Sequence, residues 1–243
     1  MMATFGFIGT GNMGGALARA AGLLSEDADY LDRIAEQAFD QTMRPFYGAY
    51  ALDAAFLDLP GPIASRALRL GCARLGCAAE QAGISRAMAL LAGGSPGSVE
   101  LGGGVRLRVT GYNRVLEPTG ETPAPAPIPL SGAGCYFLGR ACVELGWGTE
   151  PPWATCVDAE RVGPGAVLRY PRPGDWIRLT GVGRKKLSDY FTDRKVDRRE
   201  RAHTPVLARD DHVLWVPGMA VDDAVVARPG ARVFLWIKKK NWA

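Results

Sequence analysis

Residues 169–221 read RYPRPGDWIRLTGVGRKKLSDYFTDRKVDRRERAHTPVLARDDHVLWVPGMAV, and this stretch decides the fold. The segments AVLRYP and HTPVLARDDHVLWVPG, near its two ends, have the composition of β-strands. Between them, Leu187, Tyr190 and Phe191 recur at i, i+3 and i+4, the spacing of a helix face that packs on a core. The stretch therefore predicts strands interrupted by one helix over residues 184–202.

Working outward, the chain divides into a helical part and a strand-rich part. A helical period runs from about residue 15 to 44, with Ser25 expected to cap its second half, and two further helical blocks follow before a hairpin over residues 99–118. The Pro-rich segment TPAPAPIPL predicts an extended spacer, and GCYFLGRACVEL, TCVDAERV and RVFLWIKK predict strands beyond it. We predict an α+β fold, a small helical domain followed by a mixed domain with mostly antiparallel strands. The predicted boundaries are a leader 1–15, a helical domain with hairpin 16–118, a linker 119–130 and an α+β domain 131–240.

The two parts of the chain differ in net charge. The 243 residues have a net charge of only +4, yet from Arg161 onward 18 Lys and Arg stand against 9 Asp and Glu. A basic C-terminal part that follows an acidic N-terminal part indicates that one of the two parts faces a polyanion. No apolar run reaches the roughly 18 residues of a membrane span and no signal peptide is evident, so we expect a cytoplasmic protein without membrane contact.

The cysteines and histidines predict no metal site and no catalytic group. The five cysteines form no C-x-x-C pair, and the two histidines, His203 and His212, have no nameable Ser or Cys partner for a hydrolytic triad. We therefore expect buried or free thiols and no resident metal.

A glycine fingerprint opens the chain. Gly9, Gly11 and Gly14 follow a short apolar run, and residues 4–19 resemble the start of pyrroline-5-carboxylate reductase. A dinucleotide site needs a second parallel strand carrying an acid about 20 residues on, whereas here the sequence leads into more helix. An NADP-dependent oxidoreductase fragment is therefore kept only as the alternative function.

The basic residues of the predicted helix are the candidate binding site. The positive end of a helix dipole repels cations at the helix start. A bound phosphate would offset this repulsion at Arg184, Lys185 and Lys186. The alternative is a solvated surface on which Asp189, Asp193, Asp197 and Glu200 form ordinary ion pairs. No stacking aromatics are evident on a sheet face, so a platform for single strands is not predicted. The candidate residues are Arg184, Lys185, Lys186, Lys195, Arg198, Arg199 and Arg201.

Several motifs in order resemble one family. The elements Pro173-Gly174-Asp175, Lys185 through Arg198, Pro205-Val206-Leu207 and Val213 to Gly218 closely resemble the C-terminal domain of tRNA(Ile)-lysidine synthetase. The helical block and hairpin resemble the middle, substrate-binding domain of that family, so the resemblance spans about residues 16–238. Asp197 stands where the family often has Pro, and both residues suit a helix start.

The resemblance implies tRNA as the partner and the seven basic residues as tRNA contacts. Family members use ATP and Mg²⁺ to add lysine to the anticodon cytidine of a minor isoleucine tRNA, through an N-terminal domain with an S-G-G-x-D-S loop. This sequence contains no such string, and AGGSPGS (92–98) and SGAGC (131–135) lack its aspartate. We therefore expect a tRNA-binding part without its own catalytic residues or cofactor, and a homodimer as one assembly to test.

Overall fold

The chain forms two compact units, Met1–Gly120 and Glu121–Ala243. Each unit combines helices with antiparallel strands, which confirms the predicted α+β class. The strand expected over residues 4–9, with Gly9 and Gly11, lies outside the described residues. The computed structural model describes residues 12–120, 124–139, 141–149, 156–228, 231 and 234–242.

The first unit packs helices on a five-stranded antiparallel sheet of order β1-β2-β5-β4-β3. Its core holds Phe39, Phe56, Leu68, Ile84 and Leu107, all at most 2% exposed. A short 3-10 helix, Ala54–Asp58, lies between β2 and α2. The remaining elements are α1 (Asn12–Thr42), β1 (Met43–Pro45), β2 (Tyr50–Leu52), α2 (Gly61–Arg74), α3 (Gln81–Gly93), β3 (Gly97–Gly102), β4 (Val105–Val109) and β5 (Arg114–Pro118).

Helix α1 corrects one detail of the sequence prediction. It runs unbroken through Ser25, so Ser25 caps nothing. Ser is a tolerable interior residue in a long helix whose neighbours are Ala, Leu, Asp and Glu, because its propensity cost is only a few tenths of a kcal/mol, roughly. The predicted apolar periodicity becomes burial only in the second half, where Ala35 and Phe39 pack, while Leu23 and Leu24 are exposed.

The second unit contains two sheets. One has the order β12-β11-β14-β13-β10-β6 with β15 beside β14, and the other has the order β7-β8-β16-β9. Ile128 and Pro129, at the end of the Pro-rich segment, form strand β6 of the first sheet. The elements are β6 (Ile128–Pro129), β7 (Gly134–Leu138), β8 (Ala141–Gly148), β9 (Cys156–Asp158), α4 (Ala159–Val162), β10 (Val167–Arg169), β11 (Trp176–Leu179), β12 (Gly183–Lys186), α5 (Leu187–Asp193), α6 (Arg198–His203), β13 (Val206–Arg209), β14 (His212–Val216), β15 (Ala220–Val221) and β16 (Phe234–Trp242).

Two apolar clusters stabilise the second unit. One contains Leu138, Leu168 and Trp215, and the other contains Ile177 with Phe191 of α5. The segment TCVDAERV is only half strand, because the Asp158 side chain accepts hydrogen bonds from the backbone N–H groups of residues 160 and 161 and starts α4. Among the residues the structure describes, no helix has the length and hydropathy needed to cross a bilayer.

Candidate nucleic-acid interface

The first three candidate residues lie on a strand. Arg184, Lys185 and Lys186 belong to β12, which pairs antiparallel with β11, so the helix predicted from residue 184 is wrong at its start. The turn between the strands has left-handed backbone at Gly181 and Gly183, with φ of 77° and 86°, which glycine adopts without a steric penalty. The chain therefore folds back onto β11, and the helix-dipole argument does not apply to Arg184 and Lys185.

The remaining candidates lie on helix α6 or between α5 and α6. The predicted single helix is broken at Lys195, which has a left-handed φ of 54°. Helix α6 then begins at Asp197, whose carboxylate accepts a hydrogen bond from the backbone N–H of Arg199 at 2.8 Å. The expectation that aspartate suits a helix start here is confirmed, but it starts a second helix.

Strand alternation divides the β11–β12 hairpin into two faces. Ile177 is fully buried in a core with Leu187 and Phe191, so α5 covers the face on which Ile177 lies. Trp176 and Arg178, its neighbours in β11, lie on the opposite face. The register pairs Trp176 with Lys186 and Arg178 with Arg184, and directly opposed residues share a face. We call Trp176, Arg178, Arg184 and Lys186 the outer face.

The outer face is positively charged. Among the described residues, no Asp or Glu forms an ion pair with Arg178, Arg184 or Lys186. Arg178 and Arg184 are exposed and lie directly opposite each other, an arrangement of like charges that costs free energy on a sheet. An anion bound between the two guanidinium groups would relieve that repulsion.

An aromatic stack on the same side was missed by sequence reasoning. The ring of Trp176 stacks on His212 with centroids 3.9 Å apart and planes 6° from parallel. The guanidinium of Arg184 lies 4.2 Å from the Trp176 ring centroid. The expectation that no aromatic stacks on a sheet face is therefore wrong. The sequence signal was that Trp176 and Arg178 alternate with an apolar residue, which places them on the outward side of a strand. The contact with His212 arises only because β11 pairs with β14.

A buried carboxylate holds the histidine of this stack. Nε2 of His212 lies 2.7 Å from Oδ2 of Asp222, which is fully buried. Asp222 also accepts hydrogen bonds from the backbone N–H groups of Arg178, at 2.6 Å, and Ala224, at 2.9 Å. The orientation of the His212 ring is therefore fixed by this buried carboxylate.

Lys185 and Arg201 are both engaged within the fold. Lys185 lies opposite Ile177, away from the outer face, and pairs with Asp193 of α5. Arg201 donates to the carbonyl of Val196 and to Oγ1 of Thr192, both at 2.8 Å. For Lys185, the structure therefore agrees with the alternative interpretation, an ordinary ion pair within the protein.

The seven candidates therefore do not form one continuous face. Arg184 and Lys186 lie on the outer face, whereas Lys195, Arg198, Arg199 and Arg201 belong to the α5–α6 segment, which packs on the other side of the sheet through Val196. Lys195 and Arg198 are exposed.

His203, at the end of α6, adds no positive charge near neutral pH. Burial lowers the pKa of His203, and the charge of Arg199 lowers it further, although a hydrogen bond with the Arg199 carbonyl, at 2.8 Å, opposes the change. Its ring packs edge-on against Tyr170.

The described residues do not fit an ATP–Mg²⁺ loop. A phosphate loop needs a strand that leads into a helix, because the N–H groups at the helix start bind the phosphates. Residues 92–98 run the other way, from the end of α3 into β3, and residues 131–135 join two strands. In the part of the chain that the structure covers, no group of three or more His, Cys, Asp or Glu could hold a metal ion.

Comparison with known proteins gives one family match within the second unit. Residues 166–236 match the family model of the TilS substrate C-terminal domain. Over these residues the second unit is similar to a TilS C-terminal domain. This match includes all seven candidate residues and the whole outer face, and the resemblance to tRNA(Ile)-lysidine synthetase is confirmed.

Individual TilS relatives extend the similarity beyond this domain. The tRNA(Ile)-lysidine synthase of Geobacillus kaustophilus is 29% identical over 217 residues, which are 81% of this chain and 46% of that protein. The corresponding synthase of Geobacter sulfurreducens is 32% identical over 128 residues, 49% of this chain and 27% of that protein. A crystal structure of a TilS C-terminal domain is 27% identical with a TM-score of 0.37, covering 50% of this chain and 94% of that chain. The chain spans less than half the length of these two TilS synthases.

The oxidoreductase alternative gains no support. The relatives above are TilS synthases. Gly14 lies within α1, and the sheet that follows α1 in the described residues is antiparallel, whereas a dinucleotide site needs a parallel βαβ unit.

Proposed function

We propose that this chain is the tRNA-binding part of a tRNA(Ile)-lysidine synthase. The observation that supports the proposal most is the outer face of the TilS C-terminal domain, where Arg178, Arg184 and Lys186 have no ion pair among the described residues. In the proposed reaction, ATP-dependent addition of lysine to the anticodon cytidine of a minor isoleucine tRNA, this unit selects and holds the tRNA.

The physical basis is charge neutralisation. A cation that replaces a condensed counterion on an RNA phosphate releases that counterion to solution, which makes the binding free energy favourable at low salt. Contacts to phosphate position an RNA without reading its sequence. We therefore assign the outer face a positioning role, with Lys195, Arg198 and Arg199 as a second, separate group of proposed tRNA contacts.

The proposal is tested by fluorescence anisotropy with labelled isoleucine tRNA at about 50 and about 200 mM salt. We expect the dissociation constant to rise at least tenfold, roughly, over this range, because counterion release contributes less free energy at the higher salt concentration. Affinity that does not change with salt would contradict an electrostatic interface. A lysine- and tRNA-dependent ATP consumption assay on the 243-residue chain is expected to show none, because the described residues do not form an ATP loop.

Two finer statements belong to the same proposal. We place the protein in the cytoplasm, and we expect preference for the minor isoleucine tRNA over other tRNAs in competition binding. Light scattering of the free chain and of its tRNA complex tests whether a homodimer forms.

A further inference from the structure

On the outer face, the His212 ring stacks on Trp176 and the Arg184 guanidinium lies over the Trp176 ring. His212 belongs to β14 and Arg184 to β12, the two strands that flank β11 on either side, so they reach Trp176 from opposite sides. The column therefore runs His212, Trp176, Arg184 across the three strands, with 3.9 Å and 4.2 Å between successive groups. Its first member is fixed by the buried Asp222, whereas its last member is exposed.

The Arg184 end of the column is exposed. Asp222 holds the edge of the His212 ring through Nε2, whereas Arg184 is exposed and has no ion pair in the described part of the chain. Arg178, with its guanidinium 6.0 Å from the Trp176 ring, and Lys186, opposite Trp176 in the register, lie beside the column. A planar group that binds at this end meets the Arg184 guanidinium, which lies over the Trp176 ring, and has cations beside it.

We propose that an unpaired nucleotide of the bound tRNA stacks at the Arg184 end of the His212–Trp176–Arg184 column, with its phosphate between Arg178 and Lys186. The inference rests on the proposed tRNA binding and adds base stacking to it. Unstacked RNA bases bind to aromatic rings and to guanidinium planes, whereas bases within a duplex offer no free face. Stacking accepts any base, so the site recognises that a nucleotide is unpaired and not which base it carries.

A nucleotide fits this surface because both its base and its phosphate find a matching group there. A simple anion would use the cations but leave the ring column unexplained, since phosphate gains nothing from Trp176. A neutral aromatic ligand would use the rings but leave Arg178 and Lys186 unpaired. An unpaired nucleotide uses both, and cation–π contact with Arg184 strengthens the π surface.

The test uses three RNA probes of equal length: a single strand, the same strand with abasic sugars in place of the central bases, and a blunt duplex. We measure dissociation constants by anisotropy for the wild type, for Trp176→Leu, which keeps apolar bulk but removes the π surface, and for Trp147→Leu. Trp147 is a partly exposed tryptophan on β8 and serves as the matched control. Circular dichroism verifies the fold of each variant, and Arg184→Gln, which removes the exposed guanidinium at the end of the column, is the second variant if Trp176→Leu does not fold.

We expect the wild type to bind the complete single strand about tenfold more tightly than the abasic strand. Trp176→Leu should lose this preference with a smaller loss of affinity for the duplex, and Trp147→Leu should keep it. If the folded Trp176→Leu or Arg184→Gln variant discriminates as fully as wild type, the stacking site is wrong although tRNA binding stands. If the wild type binds no RNA, the proposed function fails, and the stacking site fails with it.

Discussion

The guanidinium of Arg169 and the carboxylate of Asp175 form a two-point ion pair, with both nitrogen–oxygen distances 2.8 Å and both side chains at most 2% exposed. Arg169 also donates to the backbone carbonyls of Tyr170, at 3.0 Å, and Asp210, at 2.6 Å. This pair joins the end of β10 to the loop before β11 and to the β13–β14 turn. The Pro-Gly-Asp motif therefore fixes the strand that carries the outer face.

Replacing Asp175 with Asn should destabilise the second unit. The substitution leaves the Arg169 charge buried without a counter-charge, which typically costs about 3 kcal/mol or more. Urea unfolding measures the change, and Asp211→Asn, at an exposed aspartate in the β13–β14 turn, is the control. Equal midpoints for the two variants would show that the buried pair contributes nothing.

Glu117 should make the first unit sensitive to acid. Burial alone would raise the pKa of Glu117, but hydrogen bonds and charge from Arg108 and Arg106 outweigh burial and lower it below 4.5. Because the pKa is lower in the folded than in the unfolded state, the stabilisation is present above about pH 4.5 and is lost as pH falls through the folded-state value. Unfolding free energies of wild type and Glu117→Gln should therefore converge with falling pH. Curves that stay parallel through this range would contradict the assignment.

A close approach of helix and strand should make Gly83 intolerant of a side chain. A Cβ at Gly83 would lie 2.6 Å from Cα and 2.7 Å from the carbonyl oxygen of Leu101 in β3. Alanine favours a helix by about 1 kcal/mol over glycine, but overpacking against backbone costs roughly 1–3 kcal/mol, so Gly83→Ala should destabilise. Gly93→Ala, on the same helix with nothing within 4 Å, should be neutral or stabilising. Thermal unfolding of the two variants measures the difference, and a Gly83→Ala protein as stable as Gly93→Ala would refute the close approach.

Two adjacent lysines should differ in their effect on tRNA binding. Lys186 lies on the outer face, whereas Lys185 lies on the other side and is already paired with Asp193. We expect Lys186→Gln to weaken binding several-fold and Lys185→Gln to change it much less, as measured by anisotropy at about 50 mM salt. The reverse order would place the tRNA on the α5 side of the sheet.

Local patterns predicted the elements whose residues carry their own periodicity. Helix α2 follows from apolar residues such as Leu68 at helical spacing, and the predicted helical block over residues 85–91 lies within α3. Strands β13 and β14 follow from Val- and Leu-rich runs. Strand β12 could not be predicted in this way, because Arg184, Lys185 and Lys186 have no apolar alternation and become a strand only through pairing with β11.

The stack of Trp176 on His212 could not be predicted from local sequence either. Trp176 and His212 are 36 positions apart, and their contact depends on the parallel pairing of β11 with β14, which no local pattern indicates. Composition predicted a basic surface. Only the strand register shows that Arg178, Arg184 and Lys186 lie on the outer face whereas Lys185 lies on the opposite face.

The central claim is that the outer face binds tRNA through its three cations. The most direct measurement is the salt dependence of tRNA binding by wild type and by the Arg178→Gln/Arg184→Gln/Lys186→Gln variant. Arg161→Gln/Arg228→Gln is the control, since those guanidinium groups already pair with aspartates. We predict weaker binding by the triple variant, with the logarithmic salt slope reduced by about one per removed cation, and an unchanged slope for the control. A folded triple variant with the affinity and salt slope of wild type would contradict the account.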